Sequence, residues 1–226
     1  PTTIFASLKT GDIHATVRAL SPELVKDFTG NADMKTQRGP GFATTLLQFN
    51  AERAPWDKKE VRQAVALAIE TQKLVDTVLL GFGTAGNPGW IHPQSPFHDP
   101  AIKGEFNVTQ AKALLDGLGY KDTNNDGVRE AGGKNIEATF LVYSNNPTRI
   151  RTAELIAAAV KDIGITLKVT SLEAASVDAK VWPDFDVAKG RDFDLAMWGW
   201  SAPLQVNPVR MVTLAHSDPK VGSVNI

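Results

Sequence analysis

Cysteine is absent from the 226 residues. That excludes disulfide frameworks, cysteine-ligated zinc or iron–sulfur centres, and thiol chemistry. It does not fix a redox compartment, because a cysteine-free chain survives on either side of a membrane. No apolar run approaches the roughly 18 residues needed to cross a bilayer. No basic, apolar, small-residue leader opens the chain, and Pro1-Thr2-Thr3 carries no Met, so a segment excised from something longer is expected. An excess of charge is also missing: 24 Lys and Arg balance 25 Asp and Glu, for a net charge of -1. That argues against a surface built for nucleic acid or anionic lipid. Hydrophobic residues at 42% and charged residues at 22% exclude wholesale disorder. There is no internal repeat, low-complexity tract or clean linker, and one α/β domain with a mixed sheet is the economical reading.

Local patterns divide the chain into elements. Residues 3–10 read as a short helix ended by Gly11, and Ser21-Pro22 opens another. Phe42–Phe49 reads as a strand. Asp57 and Glu60 have capping-box spacing before an apolar stripe of Val61, Ala64, Val65, Ala68 and Ile69. Thr71 opens a short helix through Val78. Residues 81–100 hold four Gly and four Pro, a long irregular loop. Asn107 and Gln110 bracket a helix start, with Val108, Ala111, Leu114, Leu115 and Leu118 inward and Gly119 at its end. Glu137–Tyr143 reads as a strand, Asn146-Pro147 as the start of a long helix closed by Gly164, and Ile165, Leu167 and Val169 as a second strand. Strand, helix and strand with short connections predict a parallel βαβ unit. Phe193–Trp198 supplies a further strand.

Two segments carry candidate chemistry. In 122–130, oxygen-bearing Asp122, Asn124 and Asp126 fall at the first, third and fifth positions of a calcium-type loop, with Gly127 at the sixth. The twelfth position is Gly133 instead of Glu, leaving Glu130 at the ninth as the remaining ligand. The candidate structural calcium clip competes with a plain Asx-rich turn. Trp198-Gly199-Trp200-Ser201 stands at the carboxyl end of a strand, where ligands bind in open α/β sheets. The two indoles offer stacking faces or core packing. Tyr143-Ser144-Asn145-Asn146 leaves another strand end. Asn145 is a candidate polar contact there, while Asn146 reads as a helix N-cap. His92 and His98 have no standard metal spacing. No nucleophile elbow, P-loop, dinucleotide fingerprint or zincin motif occurs, and nothing assembles an acid, a base and a nucleophile. An enzyme is not expected.

Pro55-Trp56-Asp57 followed by Val61-Arg62-Gln63-Ala64-Val65-Ala66-Leu67-Ala68-Ile69 resembles the signature of the family 5 extracellular solute-binding proteins, the peptide/nickel-type receptors of bacterial ABC importers. In the same order stand Leu8–Ile13, Phe49-Asn50, Val78–Gly83, Gly119–Gly127 and Phe193–Trp200. The resemblance covers essentially the whole chain. It implies a single α/β lobe, residues 1–226, the second lobe of a two-lobed type II (cluster C) periplasmic-binding-protein fold, with a mixed β-sheet flanked by helices and with the other lobe and the export signal absent. It further implies capture of an oligopeptide or similar small solute outside the cell, at the periplasmic or extracellular face. Delivery to an ABC importer permease, a monomeric state and no required cofactor complete the expectation.

Trp198, Trp200, Ser201, Asn207 and Asn145 are the candidate ligand-binding residues. Three positions depart from the family pattern. His14 replaces a usual Asp in the early motif. Pro203 stands where peptide-binding members place an acid for the peptide's amino group. Met197 stands where some carry Arg. A buried amine without its carboxylate is disfavoured, so an amino-terminal anchor needs the other lobe or Asp194. The tryptophan pair suits a sugar, an aromatic or an apolar ligand at least as well. The alternative reading is a calcium-clipped extracellular sensory or interaction module with no transport role.

Overall fold

The computed structural model describes residues 2–17, 20–37, 39, 43–88, 91–186, 189–200 and 216, and for residues 2, 26, 185 and 200 the backbone alone. The chain divides into two compact units, residues 1–39 and 40–226.

The first unit is built on two helices, α1 (Thr2–Thr10) and α2 (Pro22–Thr29). Gly11, at φ 81, ends α1 in the left-handed region, as its position predicts. Phe5 and Phe28 are both buried and meet edge to face at 5.7 Å. Lys9 pairs with Asp27 at 2.7 Å and lies 5.4 Å from the Phe28 ring centre. The ion pair is half exposed, so the aromatic contact is the stronger tie, about 1 kcal/mol against a few tenths.

The second unit is a four-stranded mixed sheet with helices on both faces. Its elements are β1 (Thr44–Phe49), α3 (Lys59–Leu67), α4 (Thr71–Val78), α5 (Val108–Gly117), β2 (Glu130–Ala131), β3 (Lys134–Asn135), β4 (Glu137–Tyr143), α6 (Pro147–Lys161), β5 (Thr166–Leu172), α7 (Ala174–Val181), a 3-10 turn (Pro183–Phe185) and β6 (Leu195–Trp200). Strand order is β1-β6-β4-β5. β4 runs parallel to both β5 and β6, and β1 pairs antiparallel with β6. The predicted parallel βαβ unit is β4-α6-β5.

Strand alternation sorts the core into two layers. Ala138, Phe140 and Val142 of β4, with Leu195 and Met197 of β6, face α3, α5 and α6 and meet Val61, Leu115, Ile156 and Val160. Leu141, Ala196 and Trp198 face the other way, against Val177, Val181 and Trp182 of α7 and its end. Coverage on both faces is why β4 reads as a continuous apolar run.

Caps set several boundaries. Asn107 and Asn146 accept the backbone N–H groups of Gln110 and Arg149 at 2.9 and 3.0 Å, as their spacing predicts. The capping box expected at Asp57 and Glu60 does not form. α3 starts two residues later, and its N-cap Lys58 makes no side-chain cap. The turn before it uses these groups otherwise: Asp57 N–H donates to Arg53, and Arg62 reaches back to the carbonyls of Trp56 and Asp57 at 2.7 and 3.0 Å. The last strand begins at Leu195 instead of Phe193. Phe193 is buried against α7, and its carbonyl accepts from the Asn50 amide at 2.9 Å. The β2–β3 hairpin, α7 and the 3-10 turn after it have no counterpart in the sequence reading.

Candidate functional site

The parallel pairing of β4 with β6 brings their carboxyl ends to one edge, where β1 begins and β5 ends. Thr44, Tyr143–Asn146, Leu172–Glu173 and Trp198–Trp200 therefore share that edge. Ser144 bridges two strand ends, with N–H to Leu172 at 2.8 Å and hydroxyl to Glu173 at 3.0 Å. Tyr143 donates its hydroxyl to Asp178 at 2.7 Å. Burial, followed by that bond, raises the phenol's pKa well above its usual value, so it stays a proton donor. Asn145 is exposed in the turn between β4 and α6.

The expected site residues divide. Asn145 stands at the edge. Ser201 and Asn207 lie outside the described residues, as does Pro203, and of Trp200 only the backbone is described, paired with Thr44. The stacking role expected of Trp198 is corrected. This residue is 6% exposed, lies edge to face on Trp182 at 4.3 Å, and donates its indole N–H to buried Gln48. Its alternation parity turns it toward α7, into the core layer. Asp194 is likewise corrected as a substitute amine anchor. It sits at the opposite end of β6, with one oxygen accepting from Arg53 at 3.1 Å and the other from the Thr139 backbone at 2.9 Å.

Arg149 is a residue the sequence reading missed. It lies in the first turn of α6, half-buried beside Gly199. Its guanidinium has no hydrogen bond or ion pair among the described residues. Burial pulls its pKa below the ordinary arginine value, yet a guanidinium stays charged at any physiological pH. A Cβ at Gly199 would fall 2.5 Å from Arg149 Nη2 and would overlap the Thr44 carbonyl oxygen. The missing side chain is what lets strand and guanidinium approach. A signal was available in the sequence: first helical turns favour acidic residues, and this one carries a cation and no acid.

The Asp122–Glu130 loop is closed by its own amides. Asp122 accepts from Asp126 and Gly127 at 3.1 and 2.8 Å, Asn124 from Asp126 at 3.0 Å, and Glu130 from Thr123 at 2.9 Å. Bonds from Asn135, Val128 and Asn124 hold the Asp126 carboxyl below the usual carboxylate range. Gly133, the would-be twelfth position, turns the β2–β3 hairpin together with Gly132, both at positive φ. Among the described residues, no three acidic or histidine side chains gather into a metal-holding group. His92 and His98 each use Nδ1 toward a donor, Gln94 N–H at 3.0 Å and the Asn87 amide at 3.1 Å.

A mixed sheet covered on both faces, with its open edge at the strands' carboxyl ends, is an open-sheet α/β module, a class in which ligands bind beyond those ends. The chain matches the family model of the bacterial extracellular solute-binding proteins, family 5 middle, over residues 1–221, and it belongs to that family. It is similar to the oligopeptide-binding protein AppA of Bacillus subtilis, 28% identical over 202 residues, which cover 87% of this chain and 35% of that protein. The nickel-binding periplasmic protein of Escherichia coli is 25% identical over 184 residues, covering 80% of this chain and 35% of that one. Two solved structures share the fold. AppA in complex with a nonapeptide has TM-score 0.73 and 23% identity, covering 98% of this chain and 48% of that one. NikA of Brucella suis in complex with Fe(III)-EDTA has TM-score 0.80 and 21% identity, covering 100% and 43%. The chain thus spans about a third of the length of these curated relatives.

Proposed function

We propose that this chain is one lobe, residues 1–226, of a two-lobed receptor that captures a small solute or oligopeptide outside the cell and hands it to an ABC importer permease. Family membership across residues 1–221 carries this reading. Relatives named as oligopeptide-, dipeptide- and nickel-binding proteins support it. The carboxyl edge of β4 and β6 is the solute-facing surface, and closure of a second lobe over it encloses the ligand. Asn145, Trp200, Ser201 and Asn207 are its contacts; Trp198 braces β6 from the core side. The receptor is a monomer at the periplasmic or extracellular face, with no catalytic role. No helix among the described residues is long and apolar enough to cross a membrane. No cofactor is required, and calcium at the Asp122–Glu130 loop is at most a clip.

Native mass spectrometry of the protein, purified from its source without refolding, tests the reading. A discrete solute mass on the protein is expected. An empty protein whose unfolding temperature is moved by no peptide, nickel chelate or oligosaccharide in a binding panel overturns it.

A further inference from the structure

We propose that Gln48 is a positioning residue for the solute-facing edge: buried in the sheet, it orients Trp198 and through it the end of β6 that carries Gly199 and Trp200. The proposal rests on the receptor reading above and adds a residue that touches no solute. Among the described residues three polar side chains are buried, Gln48, Asn50 and Ser95. Two of them bond to backbone. Asn50 donates to the Phe193 carbonyl and accepts from the Glu52 N–H at 3.2 Å, and Ser95 accepts from the Phe97 N–H at 3.3 Å. Gln48 bonds instead to a side chain, the Trp198 indole. An indole N–H can only donate, so the amide oxygen of Gln48 faces it. The amide nitrogen is left buried without a partner among the described residues. A leucine at this position would leave no orphan amide in the apolar layer. Stability therefore does not account for a glutamine here; the direction of its bond does. Gln48 stands opposite Ala196 and Trp198 opposite Leu46, which makes the two diagonal neighbours on one face of the β1–β6 pair. The bond fixes the indole from the β1 side, and Trp182 braces it edge to face at 4.3 Å from the α7 side. Gly199 has no side chain, so among the described side chains Trp198 is the last to tie β6 down before its end. Trp200 follows about 7 Å along the strand. The intervening Gly199 packs closely on Thr44 and Arg149, so a small turn of β6 at Trp198 is felt along the edge.

The test uses the protein as its source makes it, in wild-type, Gln48→Leu, Trp198→Phe and doubly substituted forms. Gln48→Leu removes the acceptor and the orphan amide together, so its melting temperature should stay within about 3 °C of the wild type's. Two readouts separate positioning from a merely structural role. One is the fraction of protein that carries co-purified solute, by native mass spectrometry. The other is hydrogen–deuterium exchange at residues 198–200. Each single variant should retain about a tenth of the wild-type solute and exchange 198–200 about tenfold faster. The double variant should be no worse than Trp198→Phe alone, because the same bond is already lost. Solute retention undiminished in Gln48→Leu, with or without a lower melting temperature, overturns the positioning role and leaves the receptor reading intact. So does a double variant whose losses simply add. Should Gln48→Leu fail to fold, Trp198→Phe is read in its place against the same two outcomes. Should the wild type purify empty, exchange decides alone: faster exchange at 198–200 in Gln48→Leu supports the proposal, and an unchanged rate overturns it.

Discussion

Two arginines at opposite ends of the same sheet have opposite surroundings. At the amino-terminal end of β6, Arg53 bridges Asp192 at 2.9 Å and Asp194 at 3.1 Å. Asp192 in turn takes Lys180 at 2.6 Å, and Asp194 takes the Thr139 N–H at 2.9 Å. The bond to Asp192, opposed by some desolvation, raises the pKa of Arg53, and Lys180 followed by Arg53 lowers that of Asp192. At the carboxyl end, Arg149 is half-buried and, among the described residues, its guanidinium has no such partner. The first end is a closed network that ties the β1–α3 turn to β4, β6 and α7. The second holds a half-buried charge with no carboxylate beside it among the described residues. The contrast separates a closed charge network from an open edge within one sheet.

Breaking the scaffold end carries the largest expected effect. Asp194→Ala removes the carboxylate from Arg53 and the acceptor from the Thr139 N–H, and urea unfolding should lose about 2–3 kcal/mol. A loss comparable to that of a surface mutation would mean the network is ornamental. Gly199→Ala, at the site end, forces a methyl group against the Thr44 carbonyl and Arg149. It should lose about 1–3 kcal/mol and weaken solute binding as well, read by denaturation and calorimetry on the same variant. Asn146→Ala removes the cap of the helix that carries Arg149, for about 1 kcal/mol by thermal unfolding.

Arg149→Met sharpens the contrast most, because almost nothing should happen to stability: a change within about 0.5 kcal/mol in either direction. A larger loss would make Arg149 a structural residue. The smallest effect is that of pH on the 81–107 loop. Burial, and then the nearby charge of His98, lower the pKa of His92 below 6.5. The unfolded chain therefore takes up the proton first, and stability declines as pH falls through 6.5, levelling off below the folded value. Unfolding of His92→Gln should lack that component; an identical pH profile would remove His92 from it.

The sequence reveals those parts that local rules dictate. The Asn107 and Asn146 caps, the α5 stripe, and the β4-α6-β5 unit all follow from spacing and periodicity. What escaped it depends on the rest of the molecule. The start of α3 slipped because Arg62, not a capping box, closes the preceding turn. β6 shifted because Phe193 and Asp194, apolar and acidic neighbours that look like strand, are anchored by Asn50 and Arg53 from a distant part of the chain. The two-residue strands β2 and β3 leave no periodicity to read, and α7, Ala-rich with no capping side chain, gives little more. Trp198 was misassigned to the ligand because a strand end does not reveal which face is covered; α7 covers it. Arg149 was marked in the sequence only by standing as a cation in a first helical turn without an acid; its half-burial beside Gly199 needs the tertiary structure.

Hydrogen–deuterium exchange tests the central claim most directly, comparing the protein with its co-purified cargo against the same protein stripped and refolded. The account predicts added protection at residues 143–152 and 195–200 and none at 50–56 or 191–194. Protection confined to the Arg53–Asp194 end, or to the outer face of α7, would contradict it.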